Sequence, residues 1–402
     1  MTTSAEETSA VPAHVPPELR WDHSIDSFPA GFADPYVGAC DAIHAGPDIV
    51  WATKGAYTGR PGWMLTRFAH LQEVHFDPER FAAAESRDAA VLLGFDLPLI
   101  PFESDPPMHR HYRQLLQPWF QPSAVNAMEP MIRSICDELI AQFADRGGCE
   151  FVGEFSTLLP SHVFLELMGL PRAMLGQFLA WENGFLRGQS LEEKAAAMRA
   201  IHAYFRDYLA EKRKAPGSDL VSTLAGGEIE GRPLTEAEVL GMCIVLYIGG
   251  LDSVASGLGW YLRHLARDRE LQDRLRRAPE LIPLAVDELS RAYATNCTMR
   301  TVIQDTEFHG VPMRKGDIVA LPTFFSARDP REYVNPHVID IDRKAASMTF
   351  GTGVHLAKRE IRIVLAEFLA RFREIRIAPG ESEVWTTQTI WGVKKLPLAW
   401  ER

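Results

Sequence analysis

Ile244-Val245-Leu246-Tyr247-Ile248-Gly249-Gly250-Leu251-Asp252-Ser253 is the stretch that decides the reading. It opens a long apolar run from Ile244 to Arg263, whose length and composition predict a buried helix. Two adjacent glycines inside a helix cost about 1 kcal/mol each relative to alanine, so they need a reason. One reason is close packing or a kink. The other is that the missing side chains leave room for a ligand, with Asp252 and Ser253 as an acid and a hydroxyl at the opening. Such a pair can relay protons.

Outward from this helix, apolar residues at i, i+3, i+4 spacing run from about Met108 to Leu275 and predict mostly helix. Pro216-Gly217 and Gly226-Gly227 punctuate it. Short strand-like runs stand at Ile49-Val50-Trp51 and Trp63-Met64-Leu65-Thr66. Others lie at Phe308 to Val311, Ile318 to Leu321 and Leu396-Pro397-Leu398, and a helix is expected from about Ala357 to Phe372. The expected architecture is mainly α with a smaller β portion. No repeat or low-complexity linker divides the chain, so residues 1–402 read as one large domain. Residues 1–17, polar and rich in Ala, Thr and Pro, read as a flexible tail.

The formal net charge of −11 argues against nucleic acid as the main partner, because a phosphate backbone selects clustered Lys and Arg. No stretch approaches the ~20 uninterrupted apolar residues of a membrane span, and the N-terminus lacks the pattern of a signal peptide. A cytoplasmic protein without a membrane partner is the expectation. Cys40, Cys136, Cys149, Cys243 and Cys297 are odd in number and show no C-x-x-C spacing. They read as buried thiols, not as a disulfide frame or a zinc site.

Three further segments carry chemistry only weakly when taken singly. Glu288 and Arg291 are three apart and share a helix face; alone they would be an exposed pair of little energetic weight. Asp105-Pro106-Pro107-Met108-His109 opens a helix that puts His109 and Arg113 four apart on one face. These suit either a carboxylate or phosphate ligand or a solvated basic surface. Phe350-Gly351-Thr352-Gly353-Val354-His355 is a glycine-containing turn before a helix.

In this order and spacing, the four segments together resemble the cytochrome P450 family: Gly-Gly-x-Asp-Ser/Thr, then Glu-x-x-Arg, then Phe-Gly-x-Gly-x-His. The resemblance covers nearly the whole chain. It is closest to the bacterial camphor hydroxylases and their relatives, through Pro12-Ala13-His14-Val15-Pro16, Gly249-Gly250-Leu251-Asp252, Phe308-His309-Gly310-Val311 and Leu396-Pro397-Leu398-Ala399-Trp400.

The resemblance implies a cytochrome P450 fold and a monooxygenase carrying haem b. Asp252 and Ser253 would be the acid–alcohol pair that delivers protons during oxygen activation. His109, Arg113, Arg300 and His355 would hold the haem propionates, and Phe350 and Gly249 would also border the haem. Glu288, Arg291 and Arg343 would form the structural charge cluster. Leu97, Val245, Ile248, Thr298 and Ile390 would line the substrate pocket, whereas Tyr247 reads as packing. Leu97 stands where the camphor enzymes carry a tyrosine hydroxyl, which implies another small apolar, terpenoid-like substrate. Electrons would come from NADH through a ferredoxin reductase and a 2Fe-2S ferredoxin. Arg110, Arg113 and Lys344 would dock this acidic partner.

One part of the pattern is missing. In the family the haem loop continues from His355 through one residue to a cysteine, the metal ligand. Here His355 is followed by Leu356-Ala357-Lys358-Arg359, which matches the helix after that cysteine. About six residues are absent on that comparison, and no metal ligand stands between His355 and Lys358. The thiolate matters because it pushes electron density to favour O–O cleavage. None of the five cysteines replaces it. His355 could ligate iron only if the shortened loop re-formed. Three origins are open: a segment present in the molecule beyond this sequence, a deletion at a repeated His-Leu pair, or deliberate removal. The first is favoured because the other parts needed for turnover are intact. The rival reading is a haem-deficient pseudoenzyme or small-molecule-binding scaffold.

Overall fold

The computed structural model describes residues 11–85, 93–188, 190–344, 347–387 and 390–401. Its centre is the helix Glu236–Leu265. Thr235 starts it with a capping box: its hydroxyl accepts from the Glu238 amide, and the Glu238 carboxylate accepts from the Thr235 amide at 2.7 Å. Tyr112 and Arg232 also donate to Glu238, at 2.8 and 2.7 Å. This ties the helix Met108–Phe120 to the start of the long one. By length and composition the long helix could cross a membrane, contrary to expectation, but most of it is buried inside the protein.

The architecture is mainly helical with a smaller strand portion, as expected. A six-stranded sheet has the order Arg20–Trp21, Ile49–Tyr57, Arg60–Leu65, Ile318–Pro322, Cys297–Val302, Phe81–Ala82. Its hairpin between Tyr57 and Arg60 closes on Thr58 and Gly59, with φ of 47° and 78°, as a tight turn between twisted strands requires. A second hairpin pairs Thr306–Phe308 with Val311–Met313. The Phe308 to Val311 run read as a strand is therefore a turn through His309-Gly310 with its two flanking strand ends. The helix expected from Ala357 starts earlier and spans Val354–Arg371. The strand Pro397–Glu401 closes a small sheet with Arg373–Ile377 and Gly148–Glu150.

The expected 1–17 tail needs correction where it is described. Residues 1–10 lie outside the described residues, but Val15 is buried in an apolar cluster with Trp51, Trp63 and Leu65. His14 Nε2 and Trp63 Nε1 both bond Asp317 Oδ2, at 2.8 and 2.9 Å. The His14–Asp317 contact and the buried Val15 hold this segment on the sheet.

Candidate active site

The long helix meets the loop carrying Leu97 without side-chain clearance at Gly241. A Cβ there would lie 2.0 Å from the Pro98 carbonyl oxygen, so glycine is required by close backbone approach. Gly249 is different: a Cβ would meet nothing within 4 Å, and the residue is exposed. At Gly250 a Cβ would make only ordinary contact with Phe164, at 3.4 Å. Open space above Gly249 favours the ligand-room reading of the pair over packing. Between its first and last turns, the solvent-reached positions on this buried helix are Val245, Leu246, Ile248, Gly249, Gly250 and Ser253. Val245, Ile248, Gly249 and Ser253 fall at i, i+3, i+4 and i+8, on one side of the helix; with Leu246 and Gly250 beside them they mark its open side.

Asp252 and Ser253 do not bond each other. Ser253 Oγ donates to the Gly249 carbonyl oxygen at 2.7 Å, the local back-bond open to a helical serine. The Asp252 carboxylate accepts from Arg187 Nη2 at 2.7 Å and is buried. Arg187 ends the helix Leu175–Arg187. The same helix carries Glu182, also buried, with Oε1 unpartnered among the described residues. Burial, then the negative charge of Asp252, push the Glu182 carboxyl up to about 8, so it is largely protonated at neutral pH. Sequence reading missed both Arg187 and Glu182. They lie in another helix, and no local spacing links them to Asp252.

Of the pocket set, Leu97 is buried, and Val245, Ile248, Thr298 and Ile390 are half-buried. Val245 and Ile248 belong to the solvent-reached side. Ile390 bridges to Asn296, two residues before Thr298. Thr298 Oγ1 is buried and unpartnered among the described residues, a hydroxyl available to a ligand. Nearby, Ile25, Tyr57, Cys297 and Trp391 border a separate small cleft, which none of the five predicted lining residues touches.

His109 and Arg113 lie on one face of the helix Met108–Phe120, and Arg300 lies on the strand Cys297–Val302. Burial, then the charges of Arg113 and Arg300, lower the His109 pKa; Arg113 itself is exposed. Burial likewise lowers that of Arg300. Among the described residues none of the three forms an ion pair. Arg300 Nη1 donates only to the adjacent Met299 carbonyl, at 2.7 Å. Asp105, whose charge acts on both His109 and Arg300, also accepts from the Ala83 and Ala84 amides at 2.9 and 3.0 Å. His355, by contrast, is exposed in the first turn of its helix, and no hydrogen bond joins it to the other three. Phe350 is half-buried under the Lys358 ammonium, 5.3 Å from the ring centre; Lys358 also pairs with Asp287 at 2.9 Å.

Glu288 and Arg291 are not the exposed pair their spacing alone would suggest. Arg291 grips both Glu288 oxygens, at 2.7 and 2.9 Å, and both residues are buried. Arg343 Nε adds a third bond to Glu288 at 3.1 Å, and the Asp340 amide a fourth at 3.1 Å. Arg291 and Arg343 also donate to the Ala327, Pro336, Val334 and Val338 carbonyls. The cluster pins the irregular stretch leading to Phe350.

The cytochrome P450 family model matches residues 162–282 and 280–389. A probable cytochrome P450 of Sinorhizobium fredii is 35% identical, with 98% of each chain covered. The chain belongs to the cytochrome P450 family. Among solved structures, that of CYP101J2 superposes with a TM-score of 0.86 at 30% identity, covering 98% of this chain and 100% of the other. CYP101C1 gives 0.85 at 29%, with the same coverage. Membership places the chain among the haem-b oxidoreductases of the monooxygenase type.

The donor set fits such a group at one end only. His109, Arg113 and Arg300, none of them in an ion pair among the described residues, suit carboxylates, although the Asp105 charge already acts on His109 and Arg300. The metal end does not fit. The helix Val354–Arg371 runs through His355, Leu356 and Ala357, and the Ala357 amide bonds the Gly353 carbonyl at 2.9 Å. Four of the five cysteines are buried and the fifth, Cys297, is half-buried; all are unpaired. Burial pushes Cys40, Cys136 and Cys243 up to about 12 and raises Cys149 and Cys297 as well. A thiol so placed is a poor source of thiolate.

Proposed function

We propose that this cytochrome P450 takes a small apolar, terpenoid-like molecule into the hollow beside the long helix and hydroxylates it. Asp252 and Ser253 serve as the acid and hydroxyl that move protons there. The observation that carries this is the open space at Gly249 on a mostly buried helix, with Asp252 and Ser253 about one turn from it. Leu97, Val245, Ile248 and Ile390 supply apolar walls, and Thr298 Oγ1 a single polar handle. Haem b supplies oxygen activation when bound. His109, Arg113 and Arg300 would hold its carboxylates, with Phe350, Gly249 and His355 bordering the site, while Glu288, Arg291 and Arg343 keep the adjoining loop in place. Electrons would arrive from NADH through a ferredoxin reductase and a 2Fe-2S ferredoxin docking on Arg110, Arg113 and Lys344. Residues 1–402 act as one domain in this reading, in a reducing cytoplasm suited to unpaired cysteines.

A second reading has its own observation. With no thiol between His355 and Lys358, the chain would be a small-molecule-binding scaffold that keeps the fold without monooxygenase turnover. Intact mass shows whether a cysteine segment is part of the molecule. The visible spectrum of the reduced carbon monoxide complex then separates the readings. A thiolate-type band with product formation supports the monooxygenase, and ligand binding without that band supports the scaffold.

A further inference from the structure

Trp391, Tyr36, Trp260 and Tyr293 form a chain of neighbouring aromatic rings, all buried. Ring centres lie 4.9 Å apart from Trp391 to Tyr36, 5.2 Å from Tyr36 to Tyr293 and 6.0 Å from Trp260 to Tyr293. One end, Trp391, borders the small cleft beside Cys297 and follows Ile390 in sequence. At the other end the Tyr293 phenol oxygen lies 2.9 Å from His264 Nδ1. We infer that Tyr293 and His264 form a redox-active pair, which receives an electron vacancy from the ring chain and holds it as a neutral phenoxyl radical. This site is separate from the hydroxylation and does not depend on which substrate fills the hollow.

What each acidic proton is bonded to decides where the vacancy stops. The Trp260 indole N–H donates to the Trp391 carbonyl at 3.0 Å, and the Tyr36 hydroxyl to the Ala294 carbonyl at 3.0 Å. A carbonyl oxygen accepts a hydrogen bond but does not take the proton at neutral pH, so either ring, once oxidised, would keep a positive charge. Two buried cations oppose that charge. Arg263 lies 5.3 Å from the Trp260 ring centre, and Arg328 lies 5.3 and 5.2 Å from those of Tyr36 and Tyr293. Of these three rings, only Tyr293 has a base to receive its proton. His264 Nε2 lies 3.5 Å from Asp268 Oδ2, which places the ring N–H there and leaves Nδ1 bare for the phenol. Burial lowers the His264 pKa, so the imidazole is neutral beforehand. Asp268 is fixed by the Leu271 amide at 2.9 Å and is partly exposed, which gives the proton a way to water. The oxidant is of the hydroxyl-radical class, formed when oxygen activation misfires; it gains one electron through Trp391 and Tyr36 and becomes hydroxide. The Tyr293 O–H bond breaks, its proton forms an N–H bond at His264 Nδ1, and the phenoxyl radical remains. One electron from a diffusible thiol or ascorbate, with return of the proton, restores the phenol.

The test oxidises the full chain with light, tris(bipyridine)ruthenium and persulfate, then freezes it for electron paramagnetic resonance. After brief annealing, the main signal should be a neutral tyrosyl radical. It should show an exchangeable hydrogen bond and coupling to nitrogen in isotope-labelled histidine, as a phenoxyl bonded to a protonated imidazole requires. Tyr293→Phe should abolish that signal and leave tryptophan-type radicals. His264→Gln should abolish the nitrogen coupling and shorten the lifetime of the radical, with circular dichroism unchanged in both variants. If either variant misfolds, the histidine coupling in the parent chain still decides. A main radical on tryptophan, or a tyrosyl without histidine coupling, overturns the inference. So does a signal that survives in folded Tyr293→Phe, or a lifetime unchanged in folded His264→Gln.

Discussion

Arg187 and Asp252 form an ion pair at 2.7 Å although 65 residues separate them in sequence. The pair couples the end of one helix to the acid of another, and Glu182 feels it. Asp252 is one cause of the raised Glu182 pKa, and Arg187 opposes it. Asp252→Asn should therefore lower the Glu182 pKa, and Arg187→Ala should raise it; carbon-labelled glutamate spectra over pH 5 to 9 read both. If Asp252 also moves protons, its amide should slow turnover by about a hundredfold while apolar ligand affinity stays within about twofold. Unchanged turnover and coupling would remove it from the mechanism.

Gly249 and Gly241 should respond oppositely to one methyl group. At Gly249 alanine meets nothing and gains helix propensity, so Gly249→Ala should stabilise the fold by about 0.5–1 kcal/mol. The methyl enters the hollow, and bulkier Gly249→Val should weaken small-ligand binding. At Gly241 the Pro98 carbonyl stands where the methyl would go, so Gly241→Ala should destabilise by about 1–3 kcal/mol. Urea unfolding of the two variants checks the sign of each.

Arg291 holds Glu288 and two loop carbonyls from a fully buried position. Arg291→Ala leaves the Glu288 charge partly uncompensated, and a loss of roughly 3–5 kcal/mol is expected. Arg291→Lys keeps the charge but not the two-pronged geometry, so it should recover only part of that loss in the same unfolding measurement.

Arg110 and Lys344 are exposed and form no ion pair among the described residues. Reversing Arg110 to Glu should weaken binding of an acidic ferredoxin about tenfold at low ionic strength, and less in high salt. Calorimetric titration at two salt concentrations checks this. Equal affinities would place the docking surface elsewhere.

These predictions also show which parts of the molecule were legible in sequence. The long helix, the Glu288–Arg291 pair and the His109–Arg113 face could be read because their partners lie three or four residues apart. Arg343 needed the family pattern to join Glu288 across the intervening chain. Arg187 and Glu182 escaped because tertiary packing alone brings them to Asp252. The hairpin at His309-Gly310 was read as strand because its turn is flanked by apolar residues on both sides. Val15 looked like part of a flexible tail, since one valine among polar residues gives no periodic signal of docking.

Glu360 offers a test of buried charge without a neighbour to complicate it. Its carboxyl is buried in the helix Val354–Arg371, Oε2 is unpartnered among the described residues, and burial alone pushes it up to about 8. A carboxyl with a raised folded pKa holds its proton in the native state after the unfolded chain has released it. Its stability contribution is thus fully present below the unfolded value, near 4.5, and is lost as pH rises through about 8. Glu360→Gln cannot titrate, so it should match the parent near pH 4 and exceed it by pH 9. The gap should be on the order of a few kcal/mol at most. Unfolding midpoints at pH 4, 6.5 and 9 measure it, and parallel curves for the two proteins would show that Glu360 ionises normally.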